Sequence, residues 1–312
     1  MRERRLDRVG VWAVAGLVVY VLAFVFVMGR VDLPPLSPKM GAVLAGAALV
    51  QLGSVWFFGE LFRQGLTSTG RCISRWLGFQ AALVGSTVAR LLPAGGAVTP
   101  VAMAWTVRGR VPGAGGAAVR ATSLNYSGLL IGTGISLALL SMGEPLAGWG
   151  TGIRIASGVA VVAGLALMGL TARLGAVGHR LPTWVRVRLG DTMVDHPVDA
   201  RAHGLLWGRL AAETLVLGMV LGAFGLQAAP LQVAAAFGLS QIAAGIPGTP
   251  GGVGFAEAGL VGALAFFGMG ATVTLAPILV FRLVSYWLPA GAGLVVGSRA
   301  FLTARHQLPA VT

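Results

Sequence analysis

Between residues 9 and 296 the chain is a succession of long apolar runs separated by short polar loops. About 20 residues at 1.5 Å rise cross a hydrocarbon core of ~30 Å. Membrane strands would need ~10-residue segments of alternating polarity instead, and that alternation is absent from the sequence. The pattern predicts an all-α membrane protein, a polytopic helical bundle with six full spans at 11–28, 41–62, 122–142, 153–171, 204–224 and 273–296.

Two apolar stretches break the pattern. In WLGFQAALVGSTVARLLPAGGAVTPVAMAWTVRGR (76–110), Pro93, Gly95 and Gly96 divide the run into pieces of 17 and 11 residues. In the stretch 231–267, GIPGTPGGVGFAEAGL (245–260) places Pro247, Pro250, Gly251, Gly252 and Gly254 where helix would continue. None of these pieces crosses a bilayer comfortably by itself. Lysine and arginine favour the cytoplasmic side of membrane loops. Arg2, Arg4, Arg5 and Arg8 therefore put the N-terminus inside, and Arg299 and Arg305 the C-terminus. Arg63, Arg71 and Arg75 precede the first broken stretch and Arg108, Arg110 and Arg120 follow it, so it is expected to enter and leave at the cytoplasmic face as a re-entrant hairpin. The uncharged loop 268–272 sets the second hairpin dipping from outside, and the segment 172–203, rich in arginine and aspartate, is expected to be cytoplasmic and interfacial. The first span is too long for a signal h-region and lacks a small-residue cleavage site, so it is expected to be retained.

The two breaks are related. A displacement of 157 residues, close to half the chain, sets Pro93 on Pro250, Gly95 on Gly252 and Asn125 on Arg282. In both halves a span, a broken hairpin and a second span follow in order, and the polar residue of the last span stands 32 positions after the break. The expected organisation is a single domain, 1–312, holding repeats at about 41–142 and 204–296 in inverted topology. Such repeats with discontinuous helices point to a transporter's substrate site. Glycine-rich packing kinks are the simpler alternative.

Composition removes other classes. The net charge of +13 comes from arginines scattered among loops, with no continuous basic domain, so nucleic acid is not an expected partner. Cys72 stands alone, and His179, His196, His203 and His306 lack zinc spacing, so neither a disulfide nor a metal site is expected. One lysine against 22 arginines points to GC-rich coding and a bacterial source. GGVGF holds a G-x-G fragment without a βαβ context, and Gly128 and Gly132 form a G-x-x-x-G better suited to helix packing. With no Walker loop, nucleophile elbow or H-E-x-x-H, neither a cofactor nor enzymatic activity is expected.

Candidate chemistry lies in the charges that fall inside the spans. Arg90 precedes the first break, Glu257 follows the second, and Glu213 and Arg282 lie near the centres of their spans. A central membrane charge costs about 2.5–3.5 kcal/mol on insertion scales, so such residues pair or serve function. Arg282 lies about 14 Å deep at 1.5 Å per residue, a depth that lets it meet Glu257. Arg209 lies four residues before Glu213 on one helical face, a local partner for it, while Glu60 and Arg154 sit near span ends and are expected to be structural. A broken helix exposes N–H groups at the start of its second half, where the helix dipole favours anions. With Arg90 and Arg282 this predicts a phosphate-binding cavity, Glu257 balancing Arg282 or a cationic headgroup, and Asn125 and Glu213 along the path.

PGTPGGVGFAEAGL (247–260) followed by FRLVSYWLP (281–289) resembles the signature of the lysylphosphatidylglycerol synthase transmembrane domain family. That pattern falls on Pro250, Gly251, Gly252, Gly254, Glu257, Arg282, Tyr286, Trp287 and Pro289, and LLPAGGAV (91–98) resembles the family's first break. The family is similar to the flippase half of bifunctional enzymes that aminoacylate phosphatidylglycerol and move the product outward. The resemblance implies lipid translocation in the bacterial cytoplasmic membrane, with Tyr286 joining the site. Two departures stand out. No aminoacyl-transferase domain follows, so lipid synthesis is expected of a separate partner enzyme; and where members often carry a charge after the first break, ATSLNYSGLL (121–130) offers Asn125 and Tyr126. Transport of a soluble anion and, more remotely, lipid modification within the membrane are the alternatives.

Overall fold

Local capping sets where the helices begin. A computed structural model describes residues 26, 29–30, 35, 37–92, 95–111, 113–143, 150–180, 182–183, 195, 197–246, 249 and 251–306. Ser37 Oγ accepts from the Met40 N–H at 3.2 Å and starts α1, Pro38–Thr67, whose proline occupies the first turn, where no N–H is needed. Ser74 does the same for α2, Arg75–Leu91. After the first break come α3, Gly95–Val107, then α4, Gly115–Leu140, α5, Gly150–Ala172, and the short α6, Leu174–His179. Asp199 caps α7, Ala200–Ala223, through the Ala202 N–H at 2.8 Å. The second broken stretch folds as α8, Pro230–Ala244, and α9, Phe255–Phe266. The last span is α10, Ala271–Arg282, a π-helical turn, Leu283–Trp287, and α11, Leu288–His306.

Five of the six expected spans have apolar helices of crossing length: α1, α4, α5, α7 and residues 271–298. Apart from Phe26, the span expected at 11–28 lies outside the described residues, as do Pro93, Pro247, Pro250 and most of 181–196. Two boundaries differ most from expectation: α1 runs on to Thr67 and takes in Arg63, which was expected in a loop. α4 starts at Gly115, so Arg120, expected in a loop, lies inside the helix. There its Nη2 donates to the Pro197 carbonyl at 3.0 Å, which lets a buried guanidinium near a helix end find a polar partner. The structural reading of Glu60 holds: it pairs with Arg63 at 2.9 Å and with Arg201 at 3.6 Å. The G-x-x-x-G glycines pack α4 on α7, since a Cβ on Gly128 would stand 2.8 Å from the Leu206 side chain.

Both broken stretches are antiparallel pairs. Gly95 abuts Ala89 and Gly85 faces Thr99 and Met103, while Gly252 abuts Ala244 and Gly259 faces Ser240 and Ala243. With 17, 13, 15 and 12 residues, none of the four arms has spanning length. One apolar cluster joins the outer ends of α2 and α3 (Leu77, Val107) to Leu66 late in α1 and Ala202 at the start of α7. Another joins the outer ends of α8 and α9 (Val233, Leu264) to Ala47 early in α1 and Leu221 at the end of α7. Because α1 and α7 are continuous, the hairpins have their bases at opposite ends of the bundle. Packing is also crosswise: α2 lies on α11, α8 on α4, and α1 on α7.

Candidate functional site

Proline creates the first element of the site. Pro289 has no N–H, so the Ser285 carbonyl four residues earlier loses its helical donor. Arg90 Nη2 supplies one at 2.9 Å, while its Nη1 donates to the Ser86 carbonyl at 2.9 Å. Here the helix widens: the Leu288 N–H reaches back five residues to the Leu283 carbonyl, the π geometry often found at functional sites. Tyr286, within this turn, donates its hydroxyl to the Arg90 carbonyl at 2.7 Å. The end of the first hairpin's first arm is thereby tied to the middle of the last span.

The second break arrives at the same place. Gly251, Gly252 and Gly254 have φ of +58°, +68° and +83°, a left-handed backbone that only glycine adopts without strain. At Gly251 a Cβ would stand 2.6 Å from the Tyr286 ring and 2.7 Å from the Arg90 carbonyl. Two breaks more than 150 residues apart in sequence thus touch through Arg90, Tyr286 and Gly251.

The expected pair of Glu257 and Arg282 is present, with Arg282 Nε donating to Glu257 Oε1 at 2.5 Å. Glu257 Oε2 accepts from the Gly254 N–H at 2.7 Å, closing the first turn of α9. This corrects one expectation. Residues 254–257, where the helix after the second break starts, do not line the cavity, and the Gly254 N–H is taken by the helix's own carboxylate one turn in. Glu257 itself is therefore not among the residues that line the cavity. The first break differs: Gly95, Gly96 and Ala97 line the cavity, and the first turn of α3 contains no acidic residue.

That cavity, of about 770 Å³, lies where the breaks meet. Of the expected site residues Arg90, Asn125, Glu213, Arg282 and Tyr286 line it, together with Gly251 and Gly252. Arg282, 5% exposed, is pinned on one side by Glu257 and stacks on the Tyr286 ring with its central carbon 4.6 Å from the centroid. Glu213 accepts from Ser54 Oγ at 2.8 Å and from Arg209 Nη2 at 3.0 Å. Arg209, 8% exposed, also lies 4.2 Å from the centre of the Phe58 ring. The local pairing expected for Glu213 is therefore real, yet it leaves most of the guanidinium unused.

Buried polar atoms without a hydrogen-bond partner gather here. They are Gln51 Oε1, Thr122 Oγ1, Asn125 Oδ1, Arg209 Nε and Nη1, and Arg282 Nη2, and all five residues line the cavity. An orphaned buried polar group costs ~1–3 kcal/mol, more when charged, so the grouping of such atoms on five residues around one cavity marks it as a polar region inside an apolar bundle. In the sequence Arg209 is only a local partner for Glu213, and Gln51 and Thr122 are not among the candidate site residues. The available signal was the same for all three: a polar residue inside an apolar run.

A comparison with curated proteins yields no match. The family model described as the lysylphosphatidylglycerol synthase TM region matches residues 11–293, in agreement with the motifs at 247–260 and 281–289. Its match extends over both broken hairpins and every residue of the cavity, and this multi-pass helical chain belongs to that family.

Proposed function

We propose that this protein moves a phospholipid, or a related anionic amphiphile, between the leaflets of the bacterial cytoplasmic membrane. In this reading the hairpins are re-entrant, dip from opposite faces and form an inverted repeat, with both chain termini in the cytoplasm. The observation that carries it is the group of unpartnered buried polar atoms around one cavity at the junction of the breaks.

Opening a helix inside a membrane is tolerable only where the freed backbone faces protein or a wet cavity. Cationic side chains beside that opening offer a headgroup phosphate hydrogen bonds as it leaves water. Arg282 lines the cavity and is held in place by Glu257 and Tyr286, so its guanidinium is positioned there without a search through rotamers. Arg209 lines the same cavity. No covalent step is assigned to any of these residues, and the protein acts as a translocase.

Reconstitution in liposomes with fluorescent phospholipids tests the proposal, with an ion gradient imposed in parallel. The intact chain is expected to make inner-leaflet label accessible to an impermeant quencher, and Arg282→Ala to slow this by on the order of a hundredfold, the loss of about 3 kcal/mol of charge-assisted contact. Exchange no faster than in empty liposomes rejects translocation.

Topology has its own measurement. Cys72 is exposed in the loop between α1 and α2, and Gly270 lies between α9 and α10. An impermeant thiol reagent applied outside intact cells is expected to spare Cys72 and to label Gly270→Cys in a Cys72→Ser background. Labelling of both from one side contradicts the opposite-face arrangement.

A further inference from the structure

The cavity is not closed on every side. Among its lining residues only Ala97, Tyr126, Gly245 and Ile246 are exposed, and the others are buried or half-buried. Ala97 lies in the first turn of α3, and Gly245 and Ile246 follow the last residue of α8, so these positions flank the two breaks. Both hairpins rest on α4: a Cβ on Gly96 would strike the Tyr126 hydroxyl, and one on Gly238 would strike the Thr133 side chain. The opening therefore lies between α4 and the hairpin tips.

Depth decides what it opens onto. Tyr126 stands 11 residues after the start of α4 and 14 before its end, about 17 and 21 Å at 1.5 Å per residue. The middle of a helix of crossing length sits in the hydrocarbon core, ~30 Å thick, so a side chain exposed there faces acyl chains. The rim suits those surroundings. Ile246, 48% exposed, and Ala97 are apolar, and none of the four rim residues carries a charge. The charged groups Arg90, Glu213 and Arg282 belong to the buried and half-buried part of the lining. An amphiphile has the same order, a polar end followed by chains.

The two tyrosines of the lining are held differently. Tyr286, 2% exposed, donates its hydroxyl to the Arg90 carbonyl and carries the stacked Arg282. Tyr126, 39% exposed, has no hydrogen-bond partner among the described residues, and its hydroxyl rests against Gly96. Its ring can face lipid on one side while the polar tip stays at the cavity. Turning it aside breaks no hydrogen bond.

Resting on the reading of the chain as a translocase, we infer that the cavity takes its lipid sideways, through a mouth at mid-depth between α4 and the hairpin tips, and that Tyr126 is the gate of that mouth. The headgroup lies inside while the acyl chains stay in the bilayer. A free phosphate has the same anionic chemistry but no route through hydrocarbon, so it is not carried.

The experiment plugs the mouth. In a Cys72→Ser background, Ile246→Cys on the rim and Val162→Cys, exposed on α5 and outside the lining, are each coupled to N-pyrenylmaleimide and reconstituted with fluorescent phosphatidylglycerol. The rim adduct is expected to slow lipid exchange at least about tenfold, as for a path open no more than about a tenth of the time. The Val162→Cys adduct is expected to stay within about twofold of the unlabelled protein, the usual range for a surface change. Tyr126→Ala is expected to speed exchange about threefold or more, as where opening limits the rate, and Tyr126→Trp to slow it. Radiolabelled inorganic phosphate is expected to stay outside.

A rim adduct that leaves exchange unchanged overturns the mouth and leaves translocation standing. Slowing by both Tyr126 variants marks a structural role and overturns the gate. Phosphate uptake above that of empty liposomes overturns the sideways route by showing a water path. If the intact chain moves no lipid, translocation falls, and thiol labelling decides the mouth. Ser123→Cys, on the cavity lining one turn before Tyr126, is then expected to react faster with bilayer-dissolved N-pyrenylmaleimide than with a charged impermeant maleimide, and faster still beside Tyr126→Ala. The opposite order of reagents overturns the inference.

Discussion

Glu257→Ala is expected to destabilise the protein by about 3–5 kcal/mol, the cost of leaving a buried guanidinium without its counter-ion. Loss of the contact to the Gly254 N–H adds about 1 kcal/mol, typical of a helix cap. Arg282→Met is expected to cost less. The Glu257 side chain is 18% exposed, three times the 6% of Arg282, and keeps its bond to Gly254 when the arginine is gone. The double variant Glu257→Ala/Arg282→Met should then be more stable than Glu257→Ala alone, since the stranded charge has been removed. Unfolding curves in mild detergent on titration with a denaturing detergent measure all three. A double variant no more stable than Glu257→Ala contradicts the assignment of Glu257 as the counter-ion of Arg282. Lipid exchange should be lost in the double variant despite its recovered stability, separating the structural role of Glu257 from the presentation of Arg282 to the cavity.

The sequence was informative about this arrangement where the membrane penalises exceptions. Charges at positions 90, 213, 257 and 282 and the proline-glycine clusters stand out against apolar runs because the hydrocarbon core makes each of them expensive. The arm lengths of the hairpins and the pairing of Glu257 with Arg282 follow from the same reasoning. What sequence did not carry is the third dimension of each helix. Arg209 looked satisfied by Glu213 four residues later, and only the packing of α7 on α1 brings Ser54 to share that carboxylate and turns Arg209 toward the cavity. Gln51 and Thr122 are uncharged and cost too little to stand out in one dimension. The self-capping of α9 was legible in principle, since Glu257 is the third helical residue after Gly254, the spacing of a capping box. Glycine has no side chain to complete the usual serine or threonine signature, so the sequence points to Glu257 as the partner of Arg282 or of a cationic headgroup and not as a cap. The π turn was hidden as well: Pro289 frees a carbonyl in any helix, but that Arg90 would fill it depends on a contact between residues 195 apart.

The glycines of the second break separate backbone strain from contact between the breaks, and comparing Gly251→Ala with Gly254→Ala tests that contact directly. Both positions have positive φ: alanine costs about 1–2 kcal/mol in the left-handed region, and more at Gly254, whose φ of +83° and ψ of −49° fall in the strained γ-turn region. At Gly254 the added methyl meets open space, and strain is the whole expected effect. At Gly251 the methyl runs into the Tyr286 ring and the Arg90 carbonyl at 2.6 and 2.7 Å. The carbonyl is backbone and the ring is held by its own hydrogen bond, so neither yields without separating the breaks. Overpacking of this kind adds about 1–3 kcal/mol, bringing Gly251→Ala to about 2–5 kcal/mol in total. Gly251→Ala/Tyr286→Leu relieves the ring contact but leaves the carbonyl contact, so only part of the loss should return. If the two hairpins did not meet, Gly251→Ala would lose no more than the about 1–2 kcal/mol of left-handed strain in denaturing-detergent titrations, and Tyr286→Leu would restore none of it. Because Arg282 stacks on the same Tyr286 ring, the displacement should reach the cavity, making Gly251→Ala slow in lipid exchange even at temperatures where it is fully folded.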